Sequence, residues 1–464
     1  MAIERISVPL RAHAPALTPN ADKSALLVKL TARPDFSEIE EMPRGADRKQ
    51  AAYDAIVENA TQSQSAVLSG AIARLTRSGL VTGVQSLVSP NMLIVTPKAG
   101  KSQAVADALA GVAGIGEIFS NANGERVTAE RDIPTSNPFA PWWGLDVEPG
   151  SSQPVAPPTT APYGLRLIGA HKAWARGAEG EGMVYGSIDT GVDVTHEALV
   201  DSYRGTVDGT DDYNFFDPGG SQTPIDKGEH GTHTVGTVLG AGIGVAPKAK
   251  FIAASALGYN VDGVLKALQW MLAPTRMDGT EPDATRAPDV VGMSWWTGKN
   301  NENLFLESMQ DLRAAGIEPI KSAGNNGPGE STISSPGQYP EVISVAAVNS
   351  LGKIANFSSR GPAPYPDGAT TDKPDYAMPG VDVISSTPGG VYKKMSGTSM
   401  AQPHMSGAIL DILSAYPELT HDQLLEVLTA GAVDKGDAGY DFTYGNGLIN
   451  LPASLDAAAR LVGR

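Results

Sequence analysis

A chain of 464 residues is too long for a single compact core, and 41% hydrophobic content with 52 Gly and 34 Pro excludes a fibre, a helical bundle and a wholly disordered polymer. Thirty-five basic against 51 acidic residues give a net charge of -16, which repels phosphate backbones and anionic lipid, so neither nucleic acid nor a membrane is expected as a partner. With no cysteine, disulfides, thiolate nucleophiles and Cys-based zinc sites are excluded together.

The first 17 residues lack the apolar centre of a secretory signal, so as written the sequence carries no visible export address and reads as cytoplasmic. An extracellular place is expected instead if the chain is trimmed or exported by another route. From Ala25 to about Asn121 the pattern reads strand, long helix, two strands, helix, strand, with the long helix spanning roughly residues 48–78. That order predicts a small α+β domain, residues 1–130, of ferredoxin-like type, with two helices on one face of an antiparallel sheet. Residues 131–161 are dense in Pro, Ser, Thr and Gly and read as an extended linker. Trp142 and Trp143 lie inside it and are expected to dock on one of the domains, since an exposed tryptophan pair is costly.

Residues 162–464 alternate short apolar strands with helical stretches, which predicts an α/β domain built on a parallel sheet with its chemistry in loops beyond the strand ends. Four segments there supply what peptide hydrolysis without metal or thiol requires: a hydroxyl nucleophile, a base, a carboxylate to orient the base, and oxyanion donors. Asp189 ends a strand and is preferred over Asp193, which lies past the turn. His230 opens a helix within Glu229-His230-Gly231-Thr232-His233 and is read as the base, with His233 structural; no third ligand follows at helical spacing, so no metal site is assigned. Ser399 stands at the mouth of an apolar helix whose N-terminus favours negative charge; Ser396 and Thr398 are competing hydroxyls with turn and cap roles, Pro403 is read as sitting in the first turn, and His404 as a buried structural residue. Asn325, in Ser322-Ala323-Gly324-Asn325-Asn326-Gly327, either donates to the oxyanion or makes a turn; alone, the turn is the stronger reading.

Together these segments resemble the subtilisin-like serine peptidases, more narrowly their bacillopeptidase F-like branch, from about Leu165 to Asn450 and in the family's Asp, His, Ser order. The resemblance implies a serine endopeptidase with Asp189, His230 and Ser399 as triad and Asn325 in the oxyanion hole. It implies that the first domain is an inhibitor-type propeptide, an intramolecular inhibitor removed by autocatalytic cutting between Val127 and Tyr163. Protein or peptide substrates would bind at Ser294, Trp295, Trp296 and Ser334, with Trp296 either narrowing the pocket or packing aside. Neither Ser334 nor Asn326 is acidic, so an apolar or broad preference is expected rather than one for Arg or Lys. The segment 239–247, where the family carries a calcium loop, is short and lacks acidic or amide ligands; no cofactor is expected, that calcium site is not carried over, and a structural calcium stays open as the alternative. A peptide ligase or cyclase, or a catalytically silent peptide-binding homologue, are the rival readings.

Overall fold

The computed structural model describes residues 25–122, 143–145, 152–297, 303–365 and 368–463. The first of these stretches is the expected small domain. Strand β1 (Leu26–Leu30) is followed by α1 (Ala46–Val67), β2 (Val81–Leu87), β3 (Met92–Pro97), α2 (Ser102–Leu109) and β4 (Ile115–Ser120). The sheet is antiparallel in the order β2-β3-β1-β4. The helical stretch runs on past α1 through a π turn at Leu68–Ile72 to Arg77.

All five residues of β1 are buried, because both faces of this sheet are covered. On one face Leu26, Val28 and Leu30 meet Val67, Ile72, Val105 and Leu109 from the helices. On the other, Leu27, Met92, Ile94 and Phe119 join a core that also contains Val261, Leu265, Met309 and Leu312 of the larger domain. The alternation of side chains along a strand thus divides β1 between its own domain and its neighbour.

The large domain carries a nine-stranded sheet. Its principal strands are β7 (Val184–Asp189), β8 (Lys250–Ser255), β9 (Val290–Met293), β11 (Glu318–Ser322), β12 (Ile343–Val348), β13 (Tyr376–Pro379) and β16 (Leu448–Ile449). The order from one edge is Ala432–Val433, β16, β13, β12, β11, β9, β7, β8, Phe215–Phe216, and every pairing but the first is parallel. Helices α3 (His230–Leu239) and α6 (Thr398–Ala415) pack against one another on one face, while α4 (Val261–Leu272) and α5 (Leu306–Ala314) lie toward the small domain. Doubly covered parallel strands read as continuous apolar runs, which is why they were legible as strands.

Several short strands pair among themselves outside this sheet. β10 (Trp295–Thr297) follows β9 after one residue, and it pairs antiparallel with β5 (Trp143–Leu145) from the Pro-rich segment. Further on, β6 (Gln153–Val155) pairs antiparallel with β15 (Val391–Met395), which itself pairs with β14 (Val383–Thr387). Trp143 therefore docks on the large domain through its backbone, whereas Trp142 lies outside the described residues.

Candidate active site

Asp189 is the last residue of β7 and is 2% exposed. Its carboxylate accepts from the Thr190 N–H at 2.7 Å and the Thr234 hydroxyl at 3.2 Å, and lies 2.7 Å from His230 Nδ1. A carboxylate only accepts, so Nδ1 carries the proton and donates. The pair forms because two turns meet face to face. A Cβ at Gly231, the second residue of α3, would lie 1.9 Å from the Gly191 carbonyl, so only glycine allows the helix to start this close to the end of β7.

The rival Asp193 is engaged elsewhere. It accepts from the Thr195 N–H and hydroxyl and from the Gly389 N–H, bonds that fasten a loop. His233 has its Nε2 3.1 Å from the Val383 carbonyl and 3.2 Å from that of Lys393; burial, and then the neighbouring His230, depress its pKa to about 3. His404 Nδ1 lies 2.8 Å from the Met400 carbonyl, and burial takes its pKa to about 4. Both are neutral structural histidines, as the sequence reading held.

Ser399 is the second residue of α6. Its hydroxyl donates to the Ser294 carbonyl at 2.9 Å, and Ser294 Oγ lies 3.0 Å from the Ser399 carbonyl and 2.9 Å from Gln402 Oε1. Pro403 explains this exchange. It falls in the second turn of α6 rather than the first, and its missing N–H is the one that would have bonded the carbonyl of Ser399. Ser294 takes that place and ties the backbone of Ser399 to the start of β10. Ser396 instead accepts from the Asp382 N–H, and the Thr398 hydroxyl donates to Asn325.

Asn325 sits in the turn after β11. Its Oδ1 accepts from both the backbone N–H and the hydroxyl of Thr398, each at 2.9 Å. Those two bonds fix the amide plane, and Nδ2 is left buried with no hydrogen-bond partner among the described residues. A buried donor without a partner is costly and rare. Here it stands one residue from Ser399, beside the N-terminus of α6.

Of the four residues named for substrate contact, Ser294 precedes β10, Trp295 and Trp296 lie on it, and Ser334 stands beside Gly324. Ser294 and Ser334 are buried; Ser334 donates from its N–H to the Ala323 carbonyl at 3.0 Å. Trp295 is fully buried, with its ring 5.7 Å from that of Phe305, so it offers a cleft only its backbone. Trp296 is half-buried. The sequence reading missed Lys321, a fully buried lysine on β11 whose ammonium donates to the Ser322 carbonyl and, at 2.7 Å, to Ser322 Oγ. A single lysine inside Glu318-Pro319-Ile320-Lys321-Ser322, otherwise an interior strand, was the available clue. Among the described residues no group of three or more His, Asp or Glu is gathered as a metal cluster.

A carboxylate-oriented imidazole, a serine at a helix N-terminus and a fixed amide donor are the parts that a nucleophilic-serine hydrolase uses. Comparison with known proteins places the chain in a family. Residues 180–447 match the subtilase family. Over 330 residues, 65% of this chain, the sequence is 37% identical to bacillopeptidase F of Bacillus subtilis, of whose length the match spans 22%. It is 33% identical over 302 residues to subtilisin DY of Bacillus licheniformis, spanning 98% of that protein, and 30% identical over 267 residues to the major intracellular serine protease of Bacillus subtilis. The chain belongs to the subtilase family of serine peptidases.

Proposed function

We propose that this chain is an endopeptidase acting through an acyl-enzyme, with Ser399 as nucleophile, His230 as general base and acid, Asp189 as the group that orients His230, and Asn325 with the Ser399 N–H as oxyanion donors. His230 Nε2 takes the Ser399 proton as Oγ attacks the scissile carbonyl. The developing negative oxygen is received by Asn325 Nδ2, and the imidazolium then protonates the leaving amine. Water, activated by the same imidazole, releases the acyl group. Attack requires the Ser399 hydroxyl to leave the Ser294 carbonyl for His230.

The observation that carries this reading is the Asn325 amide, held by Thr398 with its donor buried and unsatisfied beside Ser399. A turn-forming asparagine would have no reason to keep that donor unpaired.

The reading extends to a self-inhibited precursor. β5 lies antiparallel on β10 with Trp143 opposite Thr297, Gly144 opposite Trp296 and Leu145 opposite Trp295, the backbone pairing by which an extended peptide is held. Ser152, farther along the same segment, donates to Glu229, the residue before His230, at 2.7 Å. The described parts of the segment thus lie on β10 and at the residue before His230, and the N-terminal domain acts as inhibitor and folding aid until the enzyme cuts its own linker. No metal or cofactor takes part in these steps.

A fluorophosphonate probe, followed by mass analysis of the labelled peptide and of any new N-terminus, tests both parts. Label on Ser399 and a new terminus between 127 and 163 are expected, with the Ser399→Ala chain remaining uncut. Continued cutting in that variant would assign maturation to another protease, and added N-terminal domain that fails to inhibit the mature enzyme competitively would remove the inhibitor role.

A further inference from the structure

We propose that Asp226 is a positioning residue for the catalytic pair, holding the turn after β7 and the first turn of α3 together so that Asp189 meets His230. The inference rests on the proposed peptidase reading. It adds a carboxylate that the Asp, His, Ser order does not name.

The turn and the helix meet through two threonine hydroxyls. Thr190, next to Asp189, accepts the Gly231 N–H on its Oγ1 at 3.0 Å, and Thr232 Oγ1 accepts the Asp193 N–H at 2.9 Å. The two bonds cross between the elements in opposite directions, near the two ends of the turn 189–193. A hydroxyl that accepts one bond still needs an acceptor for its own proton. Asp226 is that acceptor for both, taking the Thr190 proton on Oδ1 at 2.7 Å and the Thr232 proton on Oδ2 at 2.6 Å. With both protons drawn to one carboxylate, the lone pairs of both hydroxyls are left for the backbone N–H groups.

The local chain places the Asp226 side chain, and the start of the helix has a use for it. Oδ1 also accepts from the Gly228 N–H at 2.9 Å, an Asx turn that fixes the carboxylate against its own loop. Glu229, at the N-cap of α3, makes no side-chain cap bond and gives its carboxylate to Ser152 and Lys393 instead. Asp226 caps from outside the helix, accepting the Thr232 N–H at 2.9 Å, where a negative charge also suits the positive end of the helix dipole. Residues 189–193 and 230–232 thus share one anchor.

The consequence for the reaction runs through Thr190. Its N–H donates to the same Asp189 Oδ1 that lies 2.7 Å from His230 Nδ1. A turn that shifts moves that carboxylate relative to the imidazole, and a misplacement of about 1 Å is enough to cost about 10²-fold in rate. The four bonds of Asp226 go to its loop, the turn and the helix rather than to β10, where a substrate would lie. The loss therefore falls on kcat and not on KM.

The test uses the full chain, a fluorogenic peptide and a fluorophosphonate label that counts active sites. Asp226→Asn keeps the shape but sets an amide NH2 against groups that donate; kcat per labelled site is expected to fall by about 10²-fold, with KM within about twofold of the wild type. Thr190→Val should lose kcat in the same way, and Thr190→Ser, which keeps the hydroxyl, should recover most of that loss. The double variant Asp226→Asn with Thr190→Val should lose little beyond Asp226→Asn alone, because members of one network do not add. If Asp226→Asn does not fold, the two Thr190 variants decide. A raised KM at unchanged kcat, losses that multiply in the double variant, or Thr190→Ser as impaired as Thr190→Val overturns the inference and leaves the peptidase reading standing. A wild type that shows neither label nor hydrolysis sinks the peptidase reading and this inference with it.

Discussion

The N-terminal part of the chain grips the large domain in two different ways, and the contrast shows what each grip is for. The small domain is seated through buried charges. Arg33 meets Asp311 at 2.7 Å, Lys49 meets Asp289 at 2.7 Å, Lys29 lies 3.2 Å from Glu307, and Arg44 pairs with Glu318. Asn121 adds a cap, accepting from the Val261 and Asp262 N–H groups at the start of α4. By contrast, β5 is held by three residues of backbone pairing on β10. Side-chain charges specify one partner, whereas main-chain pairing accepts any extended peptide. The seat is particular to this domain; the strand on β10 is what a substrate would make.

The sharpest way to break that comparison is to disable the chemistry at the strand while leaving the seat untouched. Ser399→Ala should lower peptide hydrolysis by roughly 10⁶-fold, a loss typical of this family when the nucleophile is removed, while the small domain stays bound. Near-normal turnover in a peptide assay would remove Ser399 from its role. Asn325→Ala should cost about 10²–10³ in kcat, again the family's usual loss for one oxyanion donor, with KM little changed. A change confined to KM would make Asn325 a binding residue or a mere turn.

Attacking the seat should give a smaller effect of another kind. Burial pushes the Asp311 carboxyl up, against the pull of Arg33, so removing Arg33 leaves a buried acid poorly matched. Arg33→Ala should weaken the hold of the cleaved small domain on the large one by about 10²-fold, or ~3 kcal/mol, without altering kcat of the freed enzyme. Titration of inhibition would measure it, and unchanged inhibition would mean that the ion pairs position the domain without holding it.

The smallest effect concerns pH and the structural histidines beside the site. His233 and His404 stay neutral in the fold, with pKa values taken to about 3 and about 4 by burial, and the charge of His230 adds to the lowering at His233. The unfolded chain binds their protons from 6.5 downward, so the folded state binds fewer. Their stabilising contribution is therefore full above pH 6.5 and declines as pH falls toward 4 and 3, by up to about 1.4 kcal/mol per pH unit for each. Urea unfolding at pH 7 and pH 5 reads this slope, and His404→Gln should remove its share; a stability independent of pH across that range would refute the assignment.

Both sheets were legible because burial leaves strong local patterns. The apolar runs at 184–189 and 343–348 and the long helix from 46 are fixed by residues a few positions apart. Asp189, His230, Ser399 and Asn325 were readable as candidates, each at a strand end or helix mouth. Their relations were not. Thr398 orients Asn325 across 73 residues, and Arg33 finds Asp311 across 278, contacts no local periodicity encodes. Lys321 escaped notice for a related reason. Its burial depends on the pairing of β9 with β11, which is set by the whole sheet.

The central claim is that His230 activates Ser399, and the rate of covalent labelling at Ser399 by a fluorophosphonate tests it most directly, compared between the wild type and His230→Ala. The expected result is label on Ser399 alone, slowed by at least about 10³-fold in the variant. Equal labelling rates in the two proteins, or label on Ser396 or Thr398 in the wild type, would contradict the account.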